Sequence, residues 1–433
     1  MSRKLLTFWL VFLPDAALFY AGLFLAAFFR YGGLLKGPAL SAHLAAFSPL
    51  YALWFVVFFV HGLFEPGSFR RYTSVVFNLV SAFAVNFLLS TLYFYFQPDL
   101  ILTPRRFLVL NLGIAFIFIL AWHLVVKYLI KNRLAQSVYL FSFDNELADL
   151  EKEIQTHSFM GFRVLGHLNE QGLLSAQFAK DSWVILPDNL QARPEILKKF
   201  YELRKLGVGF VNHRSFYENL LRRVYLSQID EIWFLENVNY KEKRVYNFLK
   251  RLMDISIGLV GLLVFALTFP FVALLIKLTS PGKVFIVQDR VGKLGAVFKV
   301  YKYRSMYVDE KNVWTQVADK RITPFGRILR KTRVDEWPQF INLILGNMSL
   351  VGPRPEQPGI VEKLKTEIPF YDERHLVKPG ITGWAQLNVY AGSLEESIHK
   401  LQYDFYYIKH RSLSLDLEII LKTIYYIFTW QGR

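Results

Sequence analysis

The sequence predicts a membrane protein of mixed fold class. We expect an N-terminal bundle of four transmembrane helices, a small α/β domain, and a C-terminal α+β domain with a re-entrant membrane helix hairpin. Of the 433 residues, 53% are hydrophobic and 17% are aromatic, and the long apolar runs are confined to particular parts of the chain. A chain this apolar is neither disordered nor an ordinary soluble protein. Its length allows two or three domains, which we place at residues 1–133, 134–249 and 250–433.

The chain is strongly basic, with 51 Lys and Arg against 35 Asp and Glu, a net charge of +16. The excess lies in the first and third domains, and the middle domain is close to neutral. Basic segments beside membrane segments favour anionic lipid or a phosphorylated substrate over nucleic acid. The chain has no Cys, which excludes disulfides, a thiol nucleophile and Cys-ligated metals. Carboxylates binding a hard cation are the metal chemistry that stays open.

Four apolar runs in the first domain are each long enough to cross about 30 Å of hydrocarbon as a helix. They cover about residues 5–29, 44–64, 75–96 and 107–130. The length of the first run, and Asp15 within it, argue against a cleaved signal peptide. Lys and Arg placement modestly favours a cytoplasmic N-terminus, and four crossings then return the chain to the cytoplasm.

Residues 134–249 alternate between strand-like and helix-like segments, which predicts a small Rossmann-like α/β domain. A dinucleotide site needs glycines directly after the first strand, so that the backbone can approach the pyrophosphate. Here residues 141–146 are Phe-Ser-Phe-Asp-Asn-Glu, with no glycine and two acids. We therefore expect no NAD binding and a structural or regulatory role for this domain.

A fifth apolar run, Ile255 to Ile276, carries no charge over 22 residues. Length alone predicts a fifth transmembrane helix. However, Pro270 within the run kinks a helix, and basic residues lie at both ends, as expected when both ends emerge at one anionic surface. We therefore favour a re-entrant hairpin over about residues 252–278.

The most informative stretch begins with the adjacent acids Asp335 and Glu336. Apolar residues over 337–345 recur at helical spacing, so the two acids begin a predicted amphipathic helix. Adjacent carboxylates with arginines upstream form a pattern suited to binding a divalent cation and a diphosphate together. The alternative is an acidic helix start that the helix dipole favours.

The upstream arginines lie on a second predicted helix. Thr323 offers an N-cap and Pro324 a first-turn proline, and Arg327 and Arg330 are three residues apart on one face. The strand-like basic run over 298–306 precedes this helix and on its own is equally typical of a solvated strand.

Two long motifs follow: Ser-Leu-Val-Gly-Pro-Arg-Pro at 349–355 and Lys-Pro-Gly-Ile-Thr-Gly-Trp-Ala-Gln at 378–386. The prolines beside Arg354 restrict its backbone and present one guanidinium in a rigid loop. Together with the acid pair and hairpin residues, these motifs resemble the bacterial sugar transferase family, the polyprenyl-phosphate hexose-1-phosphate transferases, in its large monotopic phosphoglycosyl transferase form. The resemblance covers residues 250–433, and the hairpin residues that share it are Lys250, Arg251, Asp254 and Pro270.

The resemblance implies an enzyme that moves a sugar 1-phosphate from a UDP-sugar to polyprenyl (undecaprenyl) phosphate and releases UMP. It implies the first step of extracellular polysaccharide, capsule or O-antigen synthesis, at the cytoplasmic face of the bacterial inner membrane. Asp335 matches the nucleophile that forms a covalent phospho-sugar intermediate, and Glu336 matches its partner at the metal or proton-transfer step. Both acids are the implied ligands of Mg²⁺. The implied substrate- or phosphate-binding residues are Arg330, Arg354, Lys302, Arg304 and Gln386.

The sequence departs from the family pattern at two positions. Phe269 replaces the serine that many members carry before the hairpin proline, and Asn347 replaces the usual acid before Met-Ser. Anionic phospholipids and a second copy of the chain are further expected partners. A competing interpretation is a non-catalytic membrane scaffold that regulates polysaccharide assembly. The segments 403–408 and 418–430 are equally typical of membrane-surface helices and of core packing.

Overall fold

The computed structural model describes residues 3–33, 35–65, 69, 72–96, 104–132, 135–141, 148–156, 161–169, 178, 182–187, 194–205, 207–226, 229–238, 243–307, 321–389 and 393–428, and all structural statements concern these residues. The chain divides into two compact units, Met1–Phe216 and Tyr217–Arg433. The molecule is mostly helical, with a small parallel sheet.

The first unit begins with four long helices, which confirm the four predicted helical runs. They are α1 (Arg3–Tyr31), α2 (Gly37–Val60), α3 (Tyr72–Tyr95) and α4 (Pro104–Asn132). Each is long and apolar enough to cross a membrane. Helix α4 packs against both α1 and α3, and α2 packs against α3.

The core of these helices is aromatic but contains buried polar groups. Phe19 stacks on Tyr51 with ring centroids 5.2 Å apart, and the Tyr51 hydroxyl accepts a hydrogen bond from Asn111 Nδ2 at 2.9 Å. Asp15 and His123 are fully buried, and Asp15 Oδ2 lies 2.9 Å from His123 Nε2. Polar side chains within apolar helices join neighbouring helices, because hydrocarbon offers them no other partner.

A four-stranded parallel sheet follows, in the order β2-β1-β3-β4. Its elements are β1 (Gln136–Phe141), α5 (Ala148–Thr156), β2 (Phe162–Leu168), β3 (Trp183–Leu186), α6 (Pro194–Arg204) and β4 (Gly209–Asn212). The predicted alternation is confirmed, but β2 was not predicted. This strand is at the edge, carries Gly166 and alternates between exposed and half-buried positions, so it lacks an apolar run. Residues 142–147, where a glycine turn would bind a nucleotide, lie outside the described residues.

Helix α7 (His213–Leu221) spans the boundary between the two units. The second unit continues with α8 (Glu231–Asn237), α9 (Arg244–Thr279), β5 (Phe285–Val291), β6 (Val297–Tyr303), α10 (Pro324–Lys331), α11 (Phe340–Leu345), β7 (Ser349–Val351), α12 (Pro358–Glu367), β8 (Gly380–Thr382), α13 (Trp384–Asn388), α14 (Leu394–His410) and α15 (Leu413–Phe428). Three short 3₁₀ segments lie at Lys293–Gly295, Val334–Gln339 and Tyr371–Leu376.

Helix α9 contains the fifth apolar run. It is one helix of 36 residues that continues through Pro270, so that proline does not separate two helices. One face packs on the rest of the unit, since Cβ atoms added at Gly258 and Gly261 would lie 2.8 Å from Ile344 and 2.6 Å from Phe340. The other face exposes large apolar side chains. That both ends of α9 lie at one membrane surface stays a prediction.

The C-terminal helices contribute to the core of the second unit. Leu401, Phe405 and Ile408 of α14 are buried, as are Leu415 and Ile419 of α15. Core packing therefore accounts for the apolar face of the predicted 403–408 segment, although Leu417 and Ile424 of α15 remain exposed.

Candidate active site

The two long motifs meet because β7 and β8 pair in parallel. The Gly352 amide donates to the Thr382 carbonyl at 2.9 Å, and the Gly380 amide donates to the Pro353 carbonyl at 2.9 Å. The loop that carries Arg354 is thereby fixed on the motif that carries Gln386.

Three glycines permit this close backbone approach. A Cβ atom on Gly352 would lie 2.4 Å from the Lys378 carbonyl oxygen, one on Gly380 would lie 2.1 Å from the Gly352 nitrogen, and one on Gly383 would lie 2.2 Å from the Gly352 carbonyl oxygen. These are backbone atoms that no rotamer change can move, so a side chain at any of the three positions would separate the two motifs.

The acid pair lies in the 3₁₀ segment Val334–Gln339, and α-helix begins only at Phe340. The prediction of one amphipathic α-helix from Asp335 was therefore wrong in its first turns. Pro338 within the segment has no amide hydrogen for a helical hydrogen bond. The preceding residue, Arg333, adopts left-handed φ of 57°, a strained conformation for a non-glycine residue that is enriched at functional sites. The predicted cap of α10 is confirmed, because Thr323 Oγ1 accepts from the Gly326 amide at 2.9 Å.

Glu336 is buried between two cations. Its Oε1 accepts from Lys302 Nζ at 3.0 Å and from Arg354 Nη2 at 2.7 Å. Burial alone would raise the pKa of Glu336, but the Arg354 and Lys302 cations outweigh it and hold that pKa well below its usual range. Glu336 is therefore a carboxylate across the physiological pH range.

Asp335 is in a different environment from its neighbour. Its carboxylate has no hydrogen-bond or ion-pair partner among the residues that the structure describes. Burial, together with the charge of Glu336, raises the pKa of Asp335 to about 6, against the opposing effect of Lys302. A weakly solvated carboxylate without hydrogen bonds is suited to nucleophilic attack, and two adjacent acids with pKa values moved in opposite directions are typical of divided catalytic roles.

Two predicted binding residues have buried donors that bond to no described group. They are Nη1 of Arg330 and Nε2 of Gln386. The other end of the Gln386 amide is fixed, because Oε1 accepts from Arg354 Nη1 at 3.2 Å. Buried unpaired donors are rare and call for an explanation, and a bound ligand that accepts hydrogen bonds is one such explanation.

Sequence reasoning missed an outer layer of charged residues that fixes the Arg354 loop. Arg374 is buried and donates from Nη2 to the Arg354 carbonyl at 2.9 Å and to Asp404 Oδ2 at 2.7 Å. Glu356 is bonded to Lys400, and the cations around it lower its pKa to about 2 although burial opposes this. Glu356 directly follows the Gly-Pro-Arg-Pro motif, which was the one available signal. The other partners lie 20 or more residues away in sequence.

The site has a surplus of positive charge. Five cations act electrostatically on the acid pair: Lys302, Arg290, Arg330, Arg333 and Arg354. The acids near them are Asp335, Glu336 and Glu356. Burial and the neighbouring cation Arg354 lower the pKa of Arg290 despite the opposing effect of Glu356. A site with more cations than acids is complementary to a phosphorylated ligand.

Arg304 and the hairpin residues lie elsewhere. The buried Arg304 guanidinium donates to the carbonyls of Ser280 and Pro281, at the end of α9, so the structure does not bring it to the acid pair. Lys250 pairs with Asp416 at 2.9 Å. The remaining hairpin contacts join α9 to the rest of the unit: Arg251 donates to the carbonyls of Leu343 and Ile344, and Asp254 accepts from Ser349 and from the Leu350 amide.

The acid pair fits one mode of Mg²⁺ binding. Among the described residues there is no group of three or more His, Asp or Glu that could hold a metal without a substrate. Mg²⁺ is commonly bound by one or two carboxylates together with substrate phosphates and waters. Asp335 and the second carboxylate oxygen of Glu336 have no hydrogen bonds within the described part of the chain, so they are available for that mode.

Fold and site together define a membrane-associated protein with a buried carboxylate pair in a basic, phosphate-complementary site. Residues 245–430 match the family model for the bacterial sugar transferases. The chain is 46% identical over 192 residues to the UDP-N-acetylgalactosamine-undecaprenyl-phosphate N-acetylgalactosaminephosphotransferase of Aeromonas hydrophila, covering 43% of this chain and 45% of that protein. It is 42% identical over 187 residues to the UDP-glucose:undecaprenyl-phosphate glucose-1-phosphate transferase of Escherichia coli K12, covering 42% of this chain and 40% of that protein.

A shorter relative is covered almost completely. The exopolysaccharide production protein PSS of Rhizobium leguminosarum is 43% identical over 189 residues, which are 41% of this chain and 93% of that protein. The chain belongs to the bacterial sugar transferase family. It spans less than half the length of the Aeromonas and Escherichia relatives that it matches.

Proposed function

We propose that this protein transfers a sugar 1-phosphate from a UDP-sugar to polyprenyl (undecaprenyl) phosphate, giving polyprenyl-diphosphate-sugar and UMP. The observation that carries the proposal is the pair Asp335–Glu336, one acid unpaired and one held ionised, within a site of excess positive charge. Names of the relatives support both substrates, and the Rhizobium relative supports a role in polysaccharide production.

In the proposed first step, an oxygen of Asp335 attacks the donor phosphorus that carries the sugar. A bond forms between this oxygen and phosphorus, the bond from phosphorus to the bridging oxygen breaks, and UMP leaves with that oxygen. In the second step an oxygen of polyprenyl phosphate attacks the same phosphorus, and the Asp335 carboxylate is released. The covalent intermediate divides one displacement into two and lets both substrates use the same site.

The neighbouring residues have separate roles in this proposal. Arg354 and Lys302 hold Glu336 ionised, and Arg330 and Gln386 direct their free donors to the phosphate oxygens. Arginines that face the transferring group stabilise the negative charge that spreads over its oxygens. Asp335 and Glu336 would hold Mg²⁺ with the diphosphate, and the cation would add Lewis-acid stabilisation there.

The placement in the membrane is also a proposal. We propose that α1–α4 form a transmembrane bundle in the bacterial inner membrane, that the sheet is a Rossmann-like domain that binds no NAD, and that the second unit faces the cytoplasm. Both ends of α9 contact that same unit, Lys250 through Asp416 and Ser280 through Arg304, which supports a re-entrant arrangement. Single cysteines at Lys250 and Lys283 should be labelled from the same side, and labelling from opposite sides would contradict the hairpin.

The test of the reaction is incubation of the purified full chain with Mg²⁺ and a panel of UDP-sugars, first without lipid. We expect UMP release and an Asp335 peptide that carries the sugar-phosphate mass, before polyprenyl phosphate is added. Asp335→Asn should lose the adduct, whereas Arg222→Lys, which changes a half-buried arginine whose ion-pair partner is Glu418 and neither acid of the pair, should keep it.

The other outcomes separate the alternatives. Turnover with strictly sequential kinetics and no adduct would keep the transferase but overturn Asp335 as nucleophile. No UMP release with any donor in the presence of polyprenyl phosphate would overturn the transferase and leave the membrane scaffold.

A further inference from the structure

Two cationic side chains meet above Gly346, where α11 ends. A Cβ atom on Gly346 would lie 3.3 Å from Nη2 of Arg251 and 3.5 Å from Nζ of Lys378. Arg251 is held in place by the carbonyls of Leu343 and Ile344, each at 2.7 Å. Lys378 has no hydrogen bond or ion pair with the described residues, so its charge is free to bind an anion.

A third cation, Lys293, lies near enough to repel Lys378. Burial, followed by repulsion from Arg251 and Lys293, lowers the pKa of Lys378, while Asp254 opposes this. Among the described residues, Asp254 is the acid that acts on Lys378, and its Oδ1 already accepts from Ser349 and from the Leu350 amide. We call Arg251, Lys293 and Lys378 the cationic cluster. Its three positive charges exceed the single negative charge of Asp254.

Large apolar side chains are exposed around the cationic cluster. Leu294, which follows Lys293, is 75% exposed, and Leu345, which precedes Gly346, is 62% exposed. Leu252, which follows Arg251 on α9, is also exposed. Cations next to exposed apolar side chains are typical of a protein surface at the boundary between lipid headgroups and acyl chains. Exposure of several large apolar side chains to water is unfavourable, so we infer that a lipid surface contacts the residues around the cluster.

We propose that the cationic cluster binds the phosphate of an anionic membrane phospholipid, at a site separate from the acid pair. The acid pair lies in the 3₁₀ segment before α11, and the cluster lies at the opposite end of that six-residue helix, which is about 9 Å long at 1.5 Å per residue. An acceptor phosphate has to reach Asp335, so a lipid held at this cluster is not the reacting one. This inference rests on membrane association of α9 and does not depend on the proposed transferase activity.

Asn347 offers a sharp test, because it is exposed, uncharged and next to Gly346. Asn347→Asp would place a carboxylate beside the cluster without disturbing a buried contact. Lys378→Gln would remove one cation and keep most of the side-chain stem. Lys363→Gln is the matched control, since Lys363 is an exposed lysine on α12 and is not a member of the cluster.

The experiment measures lipid preference rather than activity. A single cysteine at the exposed Ala296, in this chain without cysteines, carries a fluorophore, and the full chain is placed in phosphatidylcholine nanodiscs. In separate samples, the same small fraction of either phosphatidylglycerol or phosphatidylcholine carries a quencher close to its headgroup. We expect the anionic lipid to quench at least about fivefold more than phosphatidylcholine in the unmodified chain. This preference should fall about fivefold in Lys378→Gln and in Asn347→Asp, and it should not change in Lys363→Gln.

Three results would overturn the proposal. One is equal quenching by both lipids in the unmodified chain. Another is an anionic preference that survives both Lys378→Gln and Asn347→Asp. The third is quenching relieved by added polyprenyl phosphate but not by unlabelled phosphatidylglycerol, which would make the bound lipid the acceptor.

Discussion

The two units of the chain differ in how they treat buried polar groups. In Tyr217–Arg433, buried charges form networks that converge on one loop, as in Arg374 with Asp404 and Arg354 with Glu336. Among the described residues of Met1–Phe216, Asp15 and His123 form a buried side-chain contact, and the Asn86 amide has no partner. Networks of charge fix a geometry for chemistry, whereas isolated polar contacts in an apolar bundle join helices. The difference is consistent with the proposal that the second unit carries the active site.

Outside the acid pair, the largest expected effect is at Arg354, which joins Glu336 and Gln386 through one planar group. Arg354→Lys should lower kcat/KM for UMP release by about 10²–10³-fold, because a point charge cannot bond to both partners. Arg222→Lys should stay within about threefold of the unmodified enzyme per folded molecule. An Arg354→Lys enzyme with nearly full activity would remove this arginine from the proposed site.

A smaller loss is expected at Arg374, a positioning residue that acts through the Arg354 carbonyl. Arg374→Lys should lower kcat/KM by about tenfold and stability by about 3 kcal/mol, because Asp404 loses part of a buried ion pair. A merely structural defect would reduce activity equally at all pH values. If Arg374 positions Arg354, the pKa of Glu336 should rise in Arg374→Lys, because Arg354 then holds Glu336 less well. The acid limb of the kcat/KM profile should therefore move to higher pH, and Arg354→Lys should show the same shift.

Stability should respond oppositely to neutralising the two acids. The folded pKa of Asp335, about 6, lies above its usual value of 3.8, so ionised Asp335 destabilises the folded state fully above about pH 6 and not below about pH 4. Asp335→Asn should therefore stabilise the chain by about 1–3 kcal/mol near pH 8 and have little effect near pH 4.

Glu336→Gln is the matched variant for that measurement. The pKa of Glu336 is held low, so its ionised form stabilises the folded state above the usual pKa, and that contribution is lost as pH falls. Denaturant unfolding of both variants near pH 8 should show stabilisation for the first and destabilisation for the second. The same sign for both would mean that the two acids share one environment.

The smallest effect is expected in the first unit. Asp15→Asn and His123→Gln should each lower the free energy of unfolding by about 1–2 kcal/mol. In a double-mutant cycle, the coupling energy between the two residues should be smaller than either single loss. Rates of UMP release per folded molecule should stay within about twofold. Loss of turnover in a well-folded Asp15→Asn chain would contradict this division of roles, since it would give α1–α4 a part in the reaction.

Much of the fold was predictable because its signals are local. The four apolar helices, the alternating strands and helices, and the Thr323 cap each follow from neighbouring residues. The edge strand β2 and the 3₁₀ segment at Asp335 were missed, since partner strands and tertiary packing decide them. For α9, composition showed a long apolar helix but not which face would pack on the unit.

The site was predictable for the residues that lie in motifs. Lys302 and Arg354 do contact Glu336, and Gln386 contacts Arg354. Arg304 lies in the same basic run as Lys302, but it follows the end of β6 at Tyr303, and its buried guanidinium donates to the carbonyls of Ser280 and Pro281 at the end of α9. Arg374, Asp404 and Lys400 belong to distant helical segments, and only the folded chain brings them behind Arg354.

The close contact among Gly352, Gly380 and Gly383 has a consequence for recognising distant members of the family. A catalytic acid can be replaced by its amide and leave the chain folded, so inactive descendants can lose Asp335 while keeping the architecture. The three glycines have no such substitute, because a single methyl group would meet backbone atoms at 2.1–2.4 Å. Spacings of 28 and 3 residues between these glycines should therefore persist longer in divergent sequences than the acids themselves, and would mark the architecture even where the chemistry has been lost.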